Sequence, residues 1–178
     1  MYDTFESTWL PNITSSAAKA FREEDRPTAY VARRGHEFWV CQCGQDIAGF
    51  VHWQGDFVNA LHVRGSYSRS GVGSRLMDKA EAEISKSGFT AARLETDTFN
   101  SVSQQFYARR GYTEADRYPD AEWGSDLVTI LLVKALQKGS FRRRSAELTG
   151  RARATGLEPD SRSEKRRMAH DWPKADIR

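Results

Sequence analysis

Cysteine is almost missing from this chain: Cys41 and Cys43 are the only two among 178 residues. Two residues apart on a predicted strand, they point the same way and cannot be comfortably joined to each other, which excludes a disulfide framework. A metal site of the finger type would need further ligands at regular spacing. Reduced structural thiols are the expectation, and with them a cytoplasmic setting. Long apolar runs are also missing. The hydrophobic share is 39%, enough for one modest core, and no stretch is long enough to span a bilayer. The amino-terminal residues MYDTFESTWLPN show neither a basic nor an apolar leader region, so no secretory signal and no membrane partner are expected.

Charge is present, and it is unevenly placed. From Gln137 to the end there are 12 Lys/Arg against 6 Asp/Glu, whereas residues 1–136 hold 15 against 18. The basic excess therefore belongs to the tail alone. That tail has few large apolar residues and buries too little to offset its ordering entropy, so a folded body of residues 1–136 and a disordered tail of residues 137–178 are expected. A basic tail suits nucleic acid, an acidic protein or a membrane surface. Only Phe141 and Trp172 interrupt it with aromatics, and it matches no recognition motif, so nucleic acid stays an open alternative rather than the leading one.

The most informative stretch is VNALHVRGSYSRSGVGSR, residues 58–75. A half-buried strand runs into a turn of Gly, Ser and Arg, and the turn opens onto an amphipathic helix. Unpaired N–H groups and the positive end of the helix dipole then converge on one point, as an anion requires. Gly71 and Gly73 let a phosphate approach the backbone where a Cβ would stand in the way. Val72, Leu76, Ala80 and Ile84 give the following helix one apolar stripe, with Gly88 as its stop. A strand ending near Thr96 and a second helix from Asn100 to Gly111 follow, which implies a right-handed crossover between parallel strands. Upstream, EFWVCQC, DIAGFVHWQ and DFVNALHV read as an antiparallel meander with turns at Gly44-Gln45 and Gly55-Asp56. Before them, MYDTFESTWLPNI and SSAAKAFREED read as helices, with Ser15 or Ser16 as N-cap and Pro27 as a stop. YTEADRY and SDLVTILLVKAL read as the last two strands.

The segment LHVRGSYSRSGVGSRLM resembles the acetyl-CoA motif of the GNAT superfamily of N-acetyltransferases: a hydrophobic strand, then Gln/Arg-x-x-Gly-x-Gly/Ala, then a helix. Gly71 and Gly73 fill the glycine positions, and Ser68 stands where Gln or Arg is usual. LETDTFNSVSQQFYARRGY is similar to the family's second motif. Leu94, Asn100, Phe106, Tyr107, Gly111 and Tyr112 fall at its spacings, with Thr96 in place of Val and Ser103 in place of Ala. A dinucleotide-binding Rossmann chain does not fit, because the glycine pattern is too short and a meander precedes it.

The resemblance implies an α/β (α+β) fold: a mixed, mostly antiparallel sheet with a splayed parallel strand pair and flanking helices. The family usually begins with a strand, which is absent here or supplied poorly by the residues around Tyr2. The resemblance further implies direct transfer from acetyl-CoA to an amine in a ternary complex, with no metal. Backbone groups of Leu61 and Val63 would pair with the pantetheine arm, the Val63 N–H serving as oxyanion donor. The N–H groups of Arg69, Ser70, Gly71, Val72, Gly73 and Ser74 would hold the pyrophosphate, with Arg69 adding charge and Ser68 withholding one side-chain contact. Phe106 lies beside the cofactor, Asn100 caps the second helix and could touch pantetheine, and Tyr107 would protonate the leaving thiolate.

The general base is the open position. Many relatives carry Glu where this chain has Ala60. Strand alternation puts His62 on the same face as Ala60 and Val58, so His62 could substitute, with His52 and Glu95 as further candidates. Tyr2, Trp9, Tyr118, Glu122 and Trp123 fall on the elements that wall the acceptor site in the family, and would suit a cationic amine. A homodimer is left open. Two other readings compete: a CoA-binding protein without activity, favoured by Ala60 and Ser68, and an interaction module working through its basic tail.

Overall fold

The computed structural model describes residues 1–120 and 127–137. The tail beyond Gln137, and with it Glu122 and Trp123, lies outside the described residues. The chain starts with α1 (Tyr2–Thr4), which runs on as a π turn over Phe5–Trp9 and a 3-10 turn over Leu10–Asn12. Residues around Tyr2 are thus helical, and among the described residues no strand precedes them. Helix α2 (Ser15–Glu23) is capped by Thr14, whose hydroxyl oxygen accepts from the Ala17 N–H at 3.2 Å. The cap therefore lies one residue before Ser15. Pro27 does not stop a helix but opens one: α3 spans Arg26–Arg34 with Pro27 in its first turn, where a missing N–H costs nothing.

Six strands follow: β1 (Trp39–Cys43), β2 (Asp46–Gln54), β3 (Phe57–Val63), β4 (Ala91–Asp97), β5 (Thr113–Pro119) and β6 (Val128–Ala135). The long helix α4 (Val72–Lys86) links β3 to β4, and α5 (Ser101–Arg109) links β4 to β5. Gly44 and Gly55, both at positive φ, make the two hairpin turns. The sheet order is β1-β2-β3-β4-β6-β5, antiparallel throughout except between β3 and β4. This is the mixed, mostly antiparallel architecture that the sequence resemblance implies.

Two right-handed crossovers in the same direction leave α4 and α5 on one face. Leu76, Met77, Ala80 and Ile84 of α4 bury there against Val51, Leu61 and Leu94, together with Tyr107 of α5. Arg110, just after α5, donates to Asp78 and Glu81 of α4 at 2.6 and 3.1 Å and closes that side. The other face carries two smaller clusters. One joins Phe5, Trp9 and Phe21, and the other joins Tyr30 of α3 to Phe50 and Ala60 of the sheet.

The sheet is irregular in two places. Cross-strand partners run His52↔Ala60 and then Trp53↔Val58, so Asn59 is an extra residue in β3, a β-bulge. Alternation therefore breaks there. Val58 joins the α4-side core, while Ala60 and His62 face the α3 side, which corrects the expectation that all three share a face. The bulge also bends β3 away from β4. Only Phe57↔Arg93 and Val58↔Leu94 pair before the strands diverge.

Candidate active site

The divergence leaves a wedge between β3 and β4, and backbone groups line it. The Arg64 N–H donates to the Ala48 carbonyl at 2.9 Å, toward β2. Along an antiparallel strand successive N–H groups alternate sides, so those of Val63 and Leu61 turn to the opposite edge, into the wedge. On the facing strand, Thr96 lies beyond the last β3–β4 pair. Its hydroxyl is buried with no hydrogen-bond partner among the described residues. A buried hydroxyl left so is costly.

At the end of β3 the chain makes a 3-10 turn over Gly65–Tyr67 before α4. Asp46 anchors this turn, accepting from the Tyr67 hydroxyl at 3.0 Å and pairing with Arg64 at 3.3 Å. Arg69 and Gly71 then adopt left-handed conformations, with φ of 58° and 87°. These two left-handed residues turn the chain sharply into the positive end of a 15-residue helix, the kind of N–H nest that suits an anion. No atom comes within 4 Å of where a Cβ on Gly71 would sit, so the concave side is open. Val72 and Gly73 are buried, Arg69, Ser70 and Gly71 are exposed, and Ser68 and Ser74 lie between. One expected donor is turned inward. The Ser70 N–H donates to the Tyr67 carbonyl at 3.4 Å, as its hydroxyl does at 2.5 Å, so Ser70 braces the turn instead of facing an anion.

Helix α5 begins at Asn100, whose side-chain oxygen accepts from the Ser103 N–H at 3.0 Å. Capping accounts for this residue whether or not it also meets a ligand. Tyr107 is fully buried, edge-on to Phe106 and Tyr112 with ring centres 5.3 and 5.6 Å away. Phe106 is half-buried.

The candidate bases separate clearly. His62 is enclosed and stacked on Phe50 with ring centres 5.0 Å apart. Burial, with the positive amino terminus adding to it, pushes its imidazole down to about 3. A group that sheds its proton so readily is a poor acceptor of one from an ammonium, which counts against His62 as the direct base. His52 is as deeply buried but fully engaged. Its Nδ1 meets the Tyr30 hydroxyl at 2.5 Å and its Nε2 meets Glu37 Oε2 at 2.8 Å. Arg34 donates to the other Glu37 oxygen at 2.8 Å. Burial lowers His52 below the usual histidine range, opposed by its bond to Glu37. Burial acts to raise Glu37, but the hydrogen bonds from His52 and Arg34 outweigh it and hold the carboxyl below its usual range. Glu95 accepts from the Tyr118 hydroxyl across the sheet.

Of the acceptor-wall residues, Trp9 is a core side chain packed edge-on to Phe99, not a wall. Tyr2 is exposed, donates its hydroxyl to Asp25, and borders an apolar cavity of about 390 Å³ lined also by Pro27, Thr28 and Val31. Sequence reasoning missed Tyr30, Arg34 and Glu37 because it ended the helical region at Pro27. The signal was present: Pro followed by an apolar pair, Tyr30 and Val31, at the start of a basic helix.

The family model described as the acetyltransferase (GNAT) family matches residues 1–112. The chain belongs to that family. This GNAT protein is 29% identical over 133 residues to blasticidin-S acetyltransferase of Streptomyces morookaense, covering 71% of this chain and 96% of that one. Among solved structures, a GCN5-related N-acetyltransferase from Rhodopseudomonas palustris superposes with a TM-score of 0.62 at 20% identity, covering 75% of this chain and 83% of that one. A streptothricin acetyltransferase from Bacillus anthracis, solved with acetyl coenzyme A, gives 0.53 at 20% identity, covering 56% and 62%. The structural likenesses bear on the fold. Among the described residues no His, Cys, Asp and Glu group is arranged to hold a metal, and no helix is long and apolar enough to cross a membrane.

Proposed function

We propose that this GNAT protein moves the acetyl group of acetyl-CoA directly to an amine of a small cationic molecule. The observation that carries the reading is the wedge between β3 and β4 opening beside the left-handed turn at Gly71. An extended arm with amide groups fits the first, and a pyrophosphate fits the second. In this reading the backbone of Leu61 and Val63 pairs with the pantetheine, and the Val63 N–H stabilises the tetrahedral oxyanion. The N–H groups of Arg69, Gly71, Val72, Gly73 and Ser74 hold the pyrophosphate, with the Arg69 charge beside them and Ser68 adding nothing from its side chain. Phe106 packs along the arm, Asn100 fixes the start of α5, and Tyr107 passes a proton to the departing thiolate.

Small antibiotic amines are favoured as acceptors by the blasticidin-S relative. Glu95 and Tyr118 supply an acidic, aromatic wall on the face that α4 leaves open. The catalytic body is taken to end at Leu136, whose N–H donates to the Thr90 carbonyl at 2.8 Å and closes the sheet. The remaining tail is then dispensable for turnover. Ala60 and Ser68 favour the rival reading, a CoA-binding protein without activity.

Titration calorimetry with acetyl-CoA, against free CoA and NAD, tests the donor, and thiol release over an amine panel that includes blasticidin S tests the transfer. Micromolar binding of acetyl-CoA, lost in Gly71→Glu through like-charge repulsion and the blocked nest, is the expected result. Retained binding in that variant would sink the cradle assignment. Binding without thiol release from any amine would favour the inactive binder.

A further inference from the structure

Ala60 offers only a methyl group to the α3-side face of β3, where it is buried with Tyr30 and Phe50, yet an acceptor amine arriving as an ammonium must lose a proton before it can attack. Helices α4 and α5 pack on the opposite face, and the acetyl-transfer reading puts the acceptor on the α3 side, where Tyr30 packs beside Ala60. On that side the direct cross-strand partner of Ala60 is His52. Side chains of such a pair stand about 5 Å apart at Cβ, so the imidazole lies one strand away from the gap that Ala60 leaves.

His52 is not alone. Its two ring nitrogens join Tyr30, on α3, to Glu37, on the 3-10 turn that follows it, at 2.5 and 2.8 Å. One arrangement of protons satisfies every atom: the Tyr30 hydroxyl donates to Nδ1, and Nε2–H donates to the carboxylate. The chain runs from a phenol that is 3% exposed, through a ring that is 1% exposed, to a carboxylate whose side chain is 28% exposed. It therefore connects the dry face of the sheet to solvent. The charged and titratable groups around the ring are Tyr30 and Arg34 from α3 and His36 and Glu37 from the turn, with His62 two residues along β3 from Ala60. Arg34 holds the far oxygen of Glu37 and so fixes the carboxylate's orientation.

We propose that Tyr30, His52 and Glu37 form the proton relay that deprotonates the acceptor ammonium, replacing a carboxylate on β3. The inference rests on the acetyl-transfer reading. The N–H bond of the ammonium breaks as its proton passes, directly or through one water, to the Tyr30 oxygen. The Tyr30 proton passes to Nδ1 of His52 in the same movement. The products are a neutral amine, an unchanged phenol and an imidazolium held against the Glu37 carboxylate, and the extra proton then leaves to bulk water on the Glu37 side. His52 and Glu37 act through Tyr30 and position it.

The same bonds also tie α3 to β2, so loss of activity alone would not separate relay from scaffold. The test is the pH dependence of kcat and kcat/KM for wild type, Tyr30→Phe and Glu37→Gln, with acetyl-CoA and blasticidin S or the best amine of the panel. Melting temperature and acetyl-CoA affinity are measured alongside. A relay predicts kcat lowered about 100-fold near pH 7, within the range for acid–base groups, and a loss that shrinks as pH rises toward the amine's own pKa. Acetyl-CoA affinity should stay as in wild type. Tyr30→Phe keeps the ring, and Glu37→Gln keeps the shape, so at least one is expected to fold. An even loss at every pH, or an unchanged profile, overturns the relay while leaving the enzyme intact. Wild type that transfers acetyl to no amine overturns the reading and the relay together.

Discussion

A phenol can hand its proton to a leaving thiolate only if it stays protonated until the bond breaks, and a dry environment helps it do so. Tyr107 has that environment, enclosed by Phe106, Tyr112 and the α4-side core. Removing the hydroxyl alone should therefore touch the chemistry more than the binding. Tyr107→Phe is expected to lower kcat by about 100-fold while the acetyl-CoA dissociation constant, followed by calorimetry, stays within about twofold. An unchanged kcat at saturating substrates would make the ring a packing residue. Asn100 differs in kind, because its side-chain oxygen caps α5 by accepting from the Ser103 N–H. Replacing it would test the start of α5 before it tested any ligand.

Among the elements, β2 and β3 approach closely at Gly49. A Cβ there would stand 2.5 Å from the His62 carbonyl oxygen and 3.2 Å from the Leu76 side chain. Gly49→Ala must push β3 or α4 outward, at a cost of about 1–3 kcal/mol, read as a lower urea midpoint. Because β3 carries the wedge, acetyl-CoA affinity should fall with it, whereas a stable variant with full affinity would show that the strands can shift freely. Sequence patterning made the meander, both hairpin turns, α4 and α5 legible, since alternation, turn glycines and a four-residue apolar stripe each report one local geometry. It left Gly49 unremarked, because a close approach between strands has no local signature. It also read straight through VNALHV, where a bulge inserts Asn59 without any glycine or proline to mark it. The left-handed turn before α4 was legible in its glycine at Gly71. The side of the site built by α3 was not, since Pro27 reads alike as an end and as a beginning, and with α3 went Tyr30, Arg34 and Glu37.

For the molecule as a whole, two buried imidazoles set the response to acid. A histidine whose folded pKa is depressed binds its proton more readily when unfolded. Stability is therefore complete above the unfolded value of about 6.5 and is lost as pH falls toward the folded value. For His62 the window runs from 6.5 down to about 3, and His52 is shifted in the same direction. Between pH 6.5 and 5 the His62 contribution alone amounts to about 2 kcal/mol, which urea unfolding at pH 7.5, 6 and 5 would register. A flat stability over that range would mean that the ring is reached by water in solution.

The same sheet has a seam. β1, β2 and β3 form one half, β4, β6 and β5 the other, and among the described residues of the sheet two β3–β4 residue pairs, with the Arg93–Asp56 ion pair beside them, stitch the halves together. A ligand lying along that seam behaves as a borrowed strand, completing a ladder that the polypeptide leaves unfinished. Cofactor binding and the rigidity of the sheet are then one event. In hydrogen-exchange terms, the amides of Leu61 and Val63 are expected to exchange fast in the free protein and slowly once the arm is in place. The donor substrate would thus act as a mechanical part of the fold for as long as each turnover lasts.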